Sequence, residues 1–421
     1  MHSRSGKEAP PQLATRVTTT SPSFHIRIPR QVIGALAILT LCGILVAGLW
    51  PFHSPKNQVY WLRNGNGLRF GDYGTILSSG IFESVSSDGP ACSLEIWLEP
   101  VLPGNGGTVA AFYSPSPRRQ FSLQQSHYDL ALQRDFEDPH HHGQRVVRSA
   151  DEVFRKKRLF VTVTSDGRDA AVYVDGHLVT RLLGFGLSIQ DLTGKLIVAN
   201  SPLQNYSWSG QLRGLAIYRS ELNATQVAQH YDDWTQKGKP AVAENERALA
   251  LYLLDEHSGT IVHNRARPGI DLYIPERYLV VDQMFLESPW KEFHRQWSYL
   301  KYLLVNIAGF VPLGFFLFAY FSAAPRMRCA ALATVILGSV VSLTVEVLQA
   351  HLPTRDSGVT DIITNTLGTF VGVVSYRATA GPLARVAAKR WPRCPGMLWS
   401  WGSRQTSTDE SVRIALLVTT A

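Results

Sequence analysis

The sequence has 421 residues, with 41 Lys and Arg residues against 33 Asp and Glu residues, which gives a formal net charge of +8. A chain of this length is expected to form two or three structural units rather than one core. Strongly apolar segments flank a polar middle region, which excludes a single soluble domain. A disulfide-based scaffold is also excluded, because only Cys92 of the four cysteines lies in that middle region.

The N-terminal part is predicted to be a basic arm followed by a membrane anchor. Residues 1–31 are polar and basic, and we expect them to be disordered and cytoplasmic. Residues 32–50 are uncharged, and their number is close to the ~20 residues that a membrane helix needs. A cleaved signal peptide is the alternative, but the preceding stretch is long for one and no good cleavage site follows.

Residues 57–275 have the pattern of an exported all-β sandwich. Short segments alternate apolar and polar residues, most clearly in SLEIWLEP at 93–100. Leu94, Ile96 and Leu98 are expected to face a core, and the residues between them to face water. Asp-Gly pairs at 166–167 and 175–176 predict hairpin turns, because such turns need a residue with positive φ.

An acidic and histidine-rich segment at 127–145 is expected to be a solvated loop. It contains Asp135, Asp138 and three consecutive histidines at 140–142, and such residues can bind zinc or calcium. The spacing typical of metal sites is absent. No metal site and no cofactor are therefore predicted, with Ca²⁺ bound to the sandwich as the alternative.

The middle region resembles a known β-sandwich family. The order SLEIWLEP, FVTVTSDGRDAAVYVDGHLV, LIVANSP and WSGQLRGLAIYRSELNATQVAQHYDDW is similar to the laminin-G-like, concanavalin A-like jelly roll. This resemblance implies carbohydrate or protein binding, or glycan cleavage in some branches of the family. An envelope glycan is therefore an expected partner.

One strand of the sandwich carries candidate ligand-binding residues. Glu95, Trp97 and Glu99 share a face and resemble the E-x-D-x-E strand of concanavalin A-like glycoside hydrolases, with Trp97 at the Asp position. The two Glu Cα atoms of an unbent strand lie about 13 Å apart. Working carboxyl groups need about 5 to 9.5 Å, so hydrolysis is not favoured. Trp97, Glu95 and Glu99 remain candidates for glycan binding, with Trp97 either stacking on a sugar or packing within the domain.

Three further apolar segments at 299–321, 329–350 and 359–376 are predicted membrane helices, which makes four spans. Basic residues occur before the first span, in the short loop after the second and in a tail at 377–421. This pattern places both termini in the cytoplasm and the β-domain outside. Anionic membrane lipid accounts for the net positive charge, so no nucleic-acid partner is predicted. Residues 285–298 are expected to form an interfacial helix.

Polar residues are concentrated toward one end of the three C-terminal spans. They are Asn306, Glu346, Gln349, Arg355, Asp361 and Asn365. Charged side chains inside a membrane are costly, so they indicate function by default. Helical spacing places Glu346 with Gln349 and Asp361 with Asn365 on shared faces. We expect the groups to converge at outer-leaflet depth, with Arg355 paired to Glu346 or Asp361. The alternative is that they only hold the helices together.

Residues 299–376 resemble the VanZ-like family. NIAGFVPLGF and SLTVEVLQAHLPTRDSGVTDIITNTLGTFVG follow that family's pattern, and the six polar residues named above occupy its signature positions. The resemblance implies a multi-pass protein of the bacterial inner membrane, associated with resistance to lipoglycopeptides such as teicoplanin. The leading span lies apart from this three-helix module, on the other side of the β-domain, which departs from the common arrangement.

Three functions are consistent with these features. In the first, the β-domain binds an envelope glycan or protein while the membrane module holds a lipid-linked or amphiphilic partner. In the second, the protein is a membrane enzyme acting on a lipid-linked envelope precursor, with Glu346 or Asp361 as general base and Arg355 holding an anionic group. No nucleophile or metal set accompanies them, so no catalytic residue is assigned. In the third, the β-domain is an adhesion module with a passive anchor.

Overall fold

A computed structural model describes residues 27–84, 89–102, 104–138, 141–242, 246–266, 269–292, 297–324, 327, 329–388 and 411–413. The chain divides into two compact units. One unit contains Met1–Cys42, Ile307–Gly338 and Thr366–Ala421, and the other contains Gly43–Asn306 and Ser339–Asn365. The predicted disorder of the N-terminal arm falls largely outside the described residues.

The second unit contains the β-domain, and the strands are named in chain order. They are β1 (Arg27–Pro29), β2 (Val59–Trp61), β3 (Leu68–Phe70), β4 (Ile76–Ser78), β5 (Cys92–Pro100), β6 (Gly106–Pro115), β7 (Arg118–Ser126), β8 (Asp129–Asp138), β9 (His141–Ala150), β10 (Leu159–Ser165), β11 (Ala170–Val174), β12 (His177–Leu182), β13 (Lys195–Val198), β14 (Gly210–Tyr218), β15 (Ala248–Tyr252), β16 (Ile261–Val262), β17 (Leu272–Tyr273) and β18 (Ser411–Arg413). Strands β1 and β18 belong to the first unit, where they pair with each other.

Two antiparallel sheets form the β-domain. The first sheet has the order β12-β11-β10-β5-β14-β3-β2, with β15 also paired to β14, and the second has the order β16-β17-β4-β13-β6-β7-β8-β9. The core lies between them and includes Leu94, Ile96 and Leu98 from β5, as their spacing predicts. Cys92 belongs to the same core, and burial raises the pKa of its thiol.

The segment at 127–145 is not the predicted loop. Residues Asp129–Asp138 and His141–Ala150 form the paired strands β8 and β9 at the edge of the second sheet. Leu130 and Leu132 enter the core, which holds β8 in register beside β7. Position 140 of the histidine run lies outside the described residues.

A short helix covers the outer face of the first sheet. Helix α2 (Ala224–Asp232) begins at Asn223, whose side chain accepts hydrogen bonds from the backbone N–H groups of Thr225 and Gln226. Val227 of α2 and Trp234, which follows the helix, pack with Phe160 of β10 in an apolar cluster on the outer face of the sheet. This face of the first sheet is therefore buried at its centre rather than solvated.

The remaining helices are α1 (Arg30–Leu49), α3 (Pro289–Glu292), α4 (Trp297–Ser322), α5 (Ala330–Gln349) and α6 (Val359–Ala388). Within the described residues, three of them are long and apolar enough to cross a membrane: Arg30–Leu49, Tyr299–Ser322 and Ala330–Gln349. The prediction of four spans is wrong on this criterion. Helix α6 forms where the fourth span was expected, but its first turns carry polar residues such as Thr360, Asp361 and Asn365.

Two other helix boundaries differ from the sequence-based expectation. Of the interfacial helix expected at 285–298, only the single turn Pro289–Glu292 is helical before α4 begins, and 293–296 lie outside the described residues. Helix α6 continues to Ala388, beyond the expected end of the membrane module at 376. In the first unit, α4 and α6 approach closely, because Gly314 and Gly372 leave room for the backbones of Thr369 and Val311.

Candidate functional site

The six predicted polar residues of the membrane module separate into distinct contacts. Asp361, in the first turn of α6, is 8% exposed and accepts hydrogen bonds from Asn306 Nδ2 at 2.8 Å and from the Tyr302 hydroxyl. Both donors lie on α4. The sequence analysis missed Tyr302, although its position four residues before Asn306 places it on the same helix face. These bonds join α4 to the start of α6.

The other buried carboxylate lies at the end of α5. Glu346 is 1% exposed, and its Oε2 accepts the backbone N–H of Gly358 at 2.9 Å. Asn365 donates to the Ser342 hydroxyl at 3.0 Å, which joins α6 to α5. Both contacts place a charged or polar side chain between helices or against a loop amide, as expected where polar groups are removed from water.

Arg355 does not make the ion pair that the sequence predicts with Glu346 or Asp361. Its guanidinium donates to the carbonyl oxygens of Trp50, at 2.9 Å and 3.1 Å, and of Ala47, at 3.2 Å. Gln349 donates to the neighbouring Gly48 carbonyl at 2.9 Å. The last carbonyls of a helix have no partner within it, and its C-terminus carries partial negative charge. Arg355 and Gln349 therefore cap the C-terminal end of α1.

The segment that connects the β-domain to α4 contacts the loop between α5 and α6. The Gln283 side chain donates to the Leu352 carbonyl at 2.9 Å and also contacts the carbonyls of Gln349 and Arg355. Glu287 and the loop exchange backbone hydrogen bonds, from Glu287 N to Ser357 O at 2.9 Å and from Val359 N to Glu287 O at 3.0 Å. Sequence reasoning did not find Gln283, because a single Gln in a connecting segment gives no pattern.

The structure buries Glu95, which the sequence places on a solvated face. Its side chain is 0% exposed, and its carboxylate accepts from the Tyr218 hydroxyl at 2.8 Å, from His230 Nδ1 at 2.9 Å and from Trp234 Nε1 at 3.1 Å. Helix α2 and the turn after it supply two of these donors. Glu95 is therefore inaccessible to an external ligand in this structure.

The two other candidates on β5 lie nearer the surface. Glu99 is surrounded by basic groups, with Arg158 at 3.3 Å and Lys157 at 3.7 Å. Trp97 is half-buried, and the Arg213 guanidinium lies 5.9 Å from its ring centroid. Trp97 also packs against the apolar cluster beneath α2. The contacts of Trp97 are thus those of a residue packing within its own domain.

A row of polar side chains crosses the outer face of the second sheet and was missed by the sequence analysis. We call Gln120, Ser122, Gln124, Gln133 and Asp135 the polar row. Gln124 Nε2 lies 3.0 Å from Ser122 Oγ and 3.3 Å from Gln133 Oε1, and Gln133 Nε2 donates to Asp135 at 2.6 Å. The sequence does contain a signal for this row, because Gln120, Ser122 and Gln124 alternate with Phe121 and Leu123, which enter the core.

A partly open cavity of 290 Å³ adjoins this row. It is lined by Gln120 and Asp135 of the polar row together with Arg119, Arg134, Ser188, Gln190, Asp191 and Thr193. Strands β7 and β8 supply the first four of these residues, and the turn before β13 supplies the rest. Among the described residues, no group of three His, Cys, Asp or Glu side chains is arranged to hold a metal ion.

The apolar helices and the β-sandwich define a membrane protein with an antiparallel β-domain, and comparisons of sequence specify the two parts. Residues 256–380 match the VanZ/LLP1 family, and residues 72–228 match the concanavalin A-like lectin/glucanases superfamily. The chain therefore combines a VanZ/LLP1 domain with a concanavalin A-like domain, as its motifs predict. The VanZ/LLP1 match begins before the membrane helices, within the region assigned above to the β-domain. No curated protein matches the chain.

Several solved structures show partial similarity to this chain at low identity. The CBM40 domain of Ruminococcus gnavus IT-sialidase, bound to α2,3-sialyllactose, is 9% identical with a TM-score of 0.30, and the match covers 39% of this chain and 95% of that one. The binding domain of botulinum neurotoxin DC, in complex with rat synaptotagmin II, is 15% identical with a TM-score of 0.30, and the match covers 42% and 46%. The binding domain of Paraclostridial Mosquitocidal Protein 1 is 13% identical with a TM-score of 0.32, and the match covers 43% of this chain and 47% of that one. The match thus spans about half the length of the last two proteins.

Proposed function

We propose that this protein is a membrane-anchored glycan-binding protein whose concanavalin A-like domain binds an envelope glycan at the outer face of its second sheet. The observation that carries this proposal is the polar row with its adjoining cavity. The partly exposed Gln124 amide and Asp135 carboxylate, on adjacent strands, can pair with the donors and acceptors of sugar hydroxyl groups. A small set of convergent polar groups beside a concave surface is the general character of a ligand site.

The two sheets differ in what their outer faces leave available. On the first sheet, α2 and the cluster around Trp234 cover the centre and use the Glu95 carboxylate internally. On the second sheet, apolar residues around Leu77 and Ile197 are covered by Leu203, Leu279 and Val281. Strands β7 and β8 lie beyond that covered half, and they carry the polar row. Within the polar row, Ser122, Gln120 and Gln133 are buried, and Gln124 and Asp135 are partly exposed. These two accessible side chains support β7 and β8, rather than β5, as the ligand-binding strands.

The membrane part holds the β-domain at the bilayer. The basic arm and the basic loop after α4 favour the cytoplasm by the positive-inside rule, which places the β-domain and the α5–α6 loop together on the envelope side. Contacts from Gln283 and Glu287 to that loop are consistent with this arrangement. A bacterial inner-membrane location, with lipid around the helices, is part of the proposal.

Glycan binding can be tested on the full chain in lipid nanodiscs with an array of envelope glycans, with and without Ca²⁺. We expect saturable binding that is retained by Trp97→Ala, because Trp97 lies on the other sheet. Loss of binding in Trp97→Ala, with the fold retained, would instead move the site to β5. Absence of saturable binding to any glycan would contradict the proposed function and favour a protein partner, as in an adhesion module.

A second candidate is an enzyme acting on a lipid-linked envelope precursor. The observation favouring it is that Glu346, at the end of α5, and Asp361, at the start of α6, are both buried where Asn or Gln would serve for helix contacts alone. Glu346→Gln keeps an acceptor for the Gly358 N–H group. An enzyme would lose turnover of the precursor in this variant while keeping its stability, and a purely structural Glu346 would show only a lower unfolding temperature.

A more specific proposal is a role in resistance to teicoplanin-type antibiotics, which rests on the VanZ-like resemblance. The test compares the teicoplanin susceptibility of cells that produce the protein with that of cells that produce Arg355→Ala or lack the protein. Equal susceptibility of all three strains would remove this role while leaving glycan binding in place.

A further inference from the structure

We infer that the 290 Å³ cavity beside the polar row binds one neutral sugar residue of the glycan, through hydrogen bonds to Gln120 and Arg119. This inference rests on the proposed function and names the ligand class of that site. The volume lies near the lower end of the ~300 to 1,000 Å³ range typical of small-molecule sites. A cavity of this size suits a single ring better than a long oligosaccharide.

Gln120 is the residue that indicates a ligand. It is 6% exposed and lines the cavity, and its Oε1 has no hydrogen-bond partner. Within the described part of the chain, its side-chain amide makes no hydrogen bond at all. A buried amide without a hydrogen-bond partner is unfavourable, because it has lost its hydrogen bonds to water. Its neighbours in the polar row, by contrast, bond to one another.

A hydroxyl-bearing ligand would satisfy this amide in either orientation. Rotation of the terminal amide of Gln by 180° exchanges its carbonyl oxygen and its NH₂ group with little change in shape. A sugar hydroxyl both donates and accepts, so it can pair with whichever end faces the cavity. A ligand that only accepts hydrogen bonds, such as a carboxylate, could pair with the NH₂ group alone.

The charges around the cavity favour a neutral ligand. Two arginines, Arg119 and Arg134, are balanced by two carboxylates, Asp135 and Asp191. Arg134 donates to the Gly186 carbonyl at 2.7 Å and lies 3.7 Å from Asp191. An acidic sugar would meet two carboxylates as well as Arg119, and Arg134 already pairs with Asp191, so its charge would be only partly compensated. A neutral polyol avoids this cost.

Arg119 is the second contact. It is exposed, and among the described residues its side chain donates to Gln190, at 3.3 Å between Nη1 and Oε1, across the cavity. An arginine presents several N–H groups, so Arg119 can donate to a ligand while it keeps this bond. None of the lining residues within the described chain is aromatic. Recognition would therefore depend on hydrogen bonds rather than on stacking against a ring face.

The decisive variant is Gln120→Leu in the full chain in nanodiscs. Leu is similar in size, and the substitution breaks no hydrogen bond within the described protein, so the unfolding temperature should not fall. Binding of neutral hexose- or hexosamine-terminated oligosaccharides should weaken about tenfold or more, since one lost hydrogen bond of ~1.4 kcal/mol gives that factor. Gln229→Leu is the control, because Gln229 is exposed on α2, over the other sheet.

The outcomes separate this inference from the proposed function. Glycan binding that is unchanged in Gln120→Leu would overturn the cavity as the site and leave the protein a glycan-binding protein. Preference for uronic or sialic acid-terminated glycans, lost in Arg119→Gln, would overturn the neutral ligand class. If no glycan bound even the unaltered chain, both proposals would fall. Weakening in Gln120→Leu and Arg119→Gln, but not in Gln229→Leu, would support the assignment.

Discussion

The Glu95 carboxylate and the His230 imidazole form a buried pair, with 2.9 Å between Oε1 and Nδ1. The second imidazole nitrogen of His230 lies 3.3 Å from Oε2 of Glu246. His230 thus connects the central strand of the first sheet to helix α2 and to the segment that leads into β15. Charge in so buried a position is tolerated only when it is paired.

Glu95→Gln is expected to destabilise the β-domain by about 3 kcal/mol or more, because removing one member of a buried charged pair leaves the other uncompensated. The hydroxyl of Tyr218 and the indole N–H of Trp234 would also lose a charged acceptor. Chemical unfolding followed by tryptophan fluorescence measures the effect. Glu152→Gln, whose exposed carboxylate pairs with the exposed Arg155 at 2.6 Å, should cost ~1 kcal/mol or less. Similar losses in the two variants would contradict the role of burial.

Stability of the β-domain is expected to decrease as the pH rises above the ordinary histidine range. Burial alone lowers the pKa of His230, but the hydrogen bonds and charges of Glu95 and Glu246 outweigh burial, so the pKa lies above its usual 6.5. A group with a raised pKa in the folded state contributes its stabilisation fully below 6.5. That contribution is lost as the pH rises through the folded-state pKa.

Unfolding free energies measured on both sides of pH 6.5 test this expectation. His230→Gln should remove the part of the pH dependence that the imidazole contributes, and it should lower stability mainly on the acidic side. If the variant and the unaltered chain kept the same pH dependence, the charged form of His230 would not be the stabilising one.

The position of Glu95 shows where sequence reasoning about the β-domain stops. Period two in β5 correctly gives Leu94, Ile96 and Leu98 to the core, because alternation follows from strand geometry alone. It cannot tell whether the opposite face is covered. The residue that covers Glu95 is His230, 135 positions later in the chain, on a helix that could have packed elsewhere. Whether a face is buried is therefore a property of tertiary packing.

In the membrane module, too, the sequence predicts some contacts and not others. Helical spacing and motif resemblance locate Asp361 and Asn306, which do contact each other. The partner of Arg355 was not predictable, because Arg355 caps a helix end 305 residues earlier in the chain, and any exposed carbonyl would satisfy the same chemistry. Charge alone predicts an ion pair with Glu346 or Asp361. The last carbonyls of α1, which have no partner within the helix, give no signal in the sequence.

Arg355→Lys is expected to loosen the end of α1. Lysine keeps the positive charge but not the planar fork that reaches the Trp50 and Ala47 carbonyls together, so about 1 to 2 kcal/mol of local stability should be lost. Faster amide hydrogen exchange in residues 47–53 would report the loosening. Arg63→Lys, at an exposed position of the β-domain, is the matched control and should leave this exchange unchanged. Unchanged exchange in Arg355→Lys would mean that Gln349 alone suffices as a cap.

Gly314→Ala is expected to destabilise the first unit, whereas Gly309→Ala on the same helix is not. A Cβ atom at Gly314 would overlap the backbone carbonyl of Thr369 on α6, and backbone atoms cannot move aside cheaply. A Cβ atom at Gly309 would have no described heavy atom within 4 Å apart from the neighbouring backbone of its own helix. Overpacking of this kind costs about 1 to 3 kcal/mol.

Replacing Gly by Ala in a helix otherwise favours the helix by up to ~1 kcal/mol, so the two variants should differ in sign. Thermal unfolding of both proteins in the same detergent compares them directly. A lower unfolding temperature for Gly314→Ala and an equal or higher one for Gly309→Ala would show that close contact between α4 and α6 stabilises the bundle. If both variants were equally stable, α6 would have to be able to move away from α4, and the contact at Gly314 would contribute little to holding the two helices together.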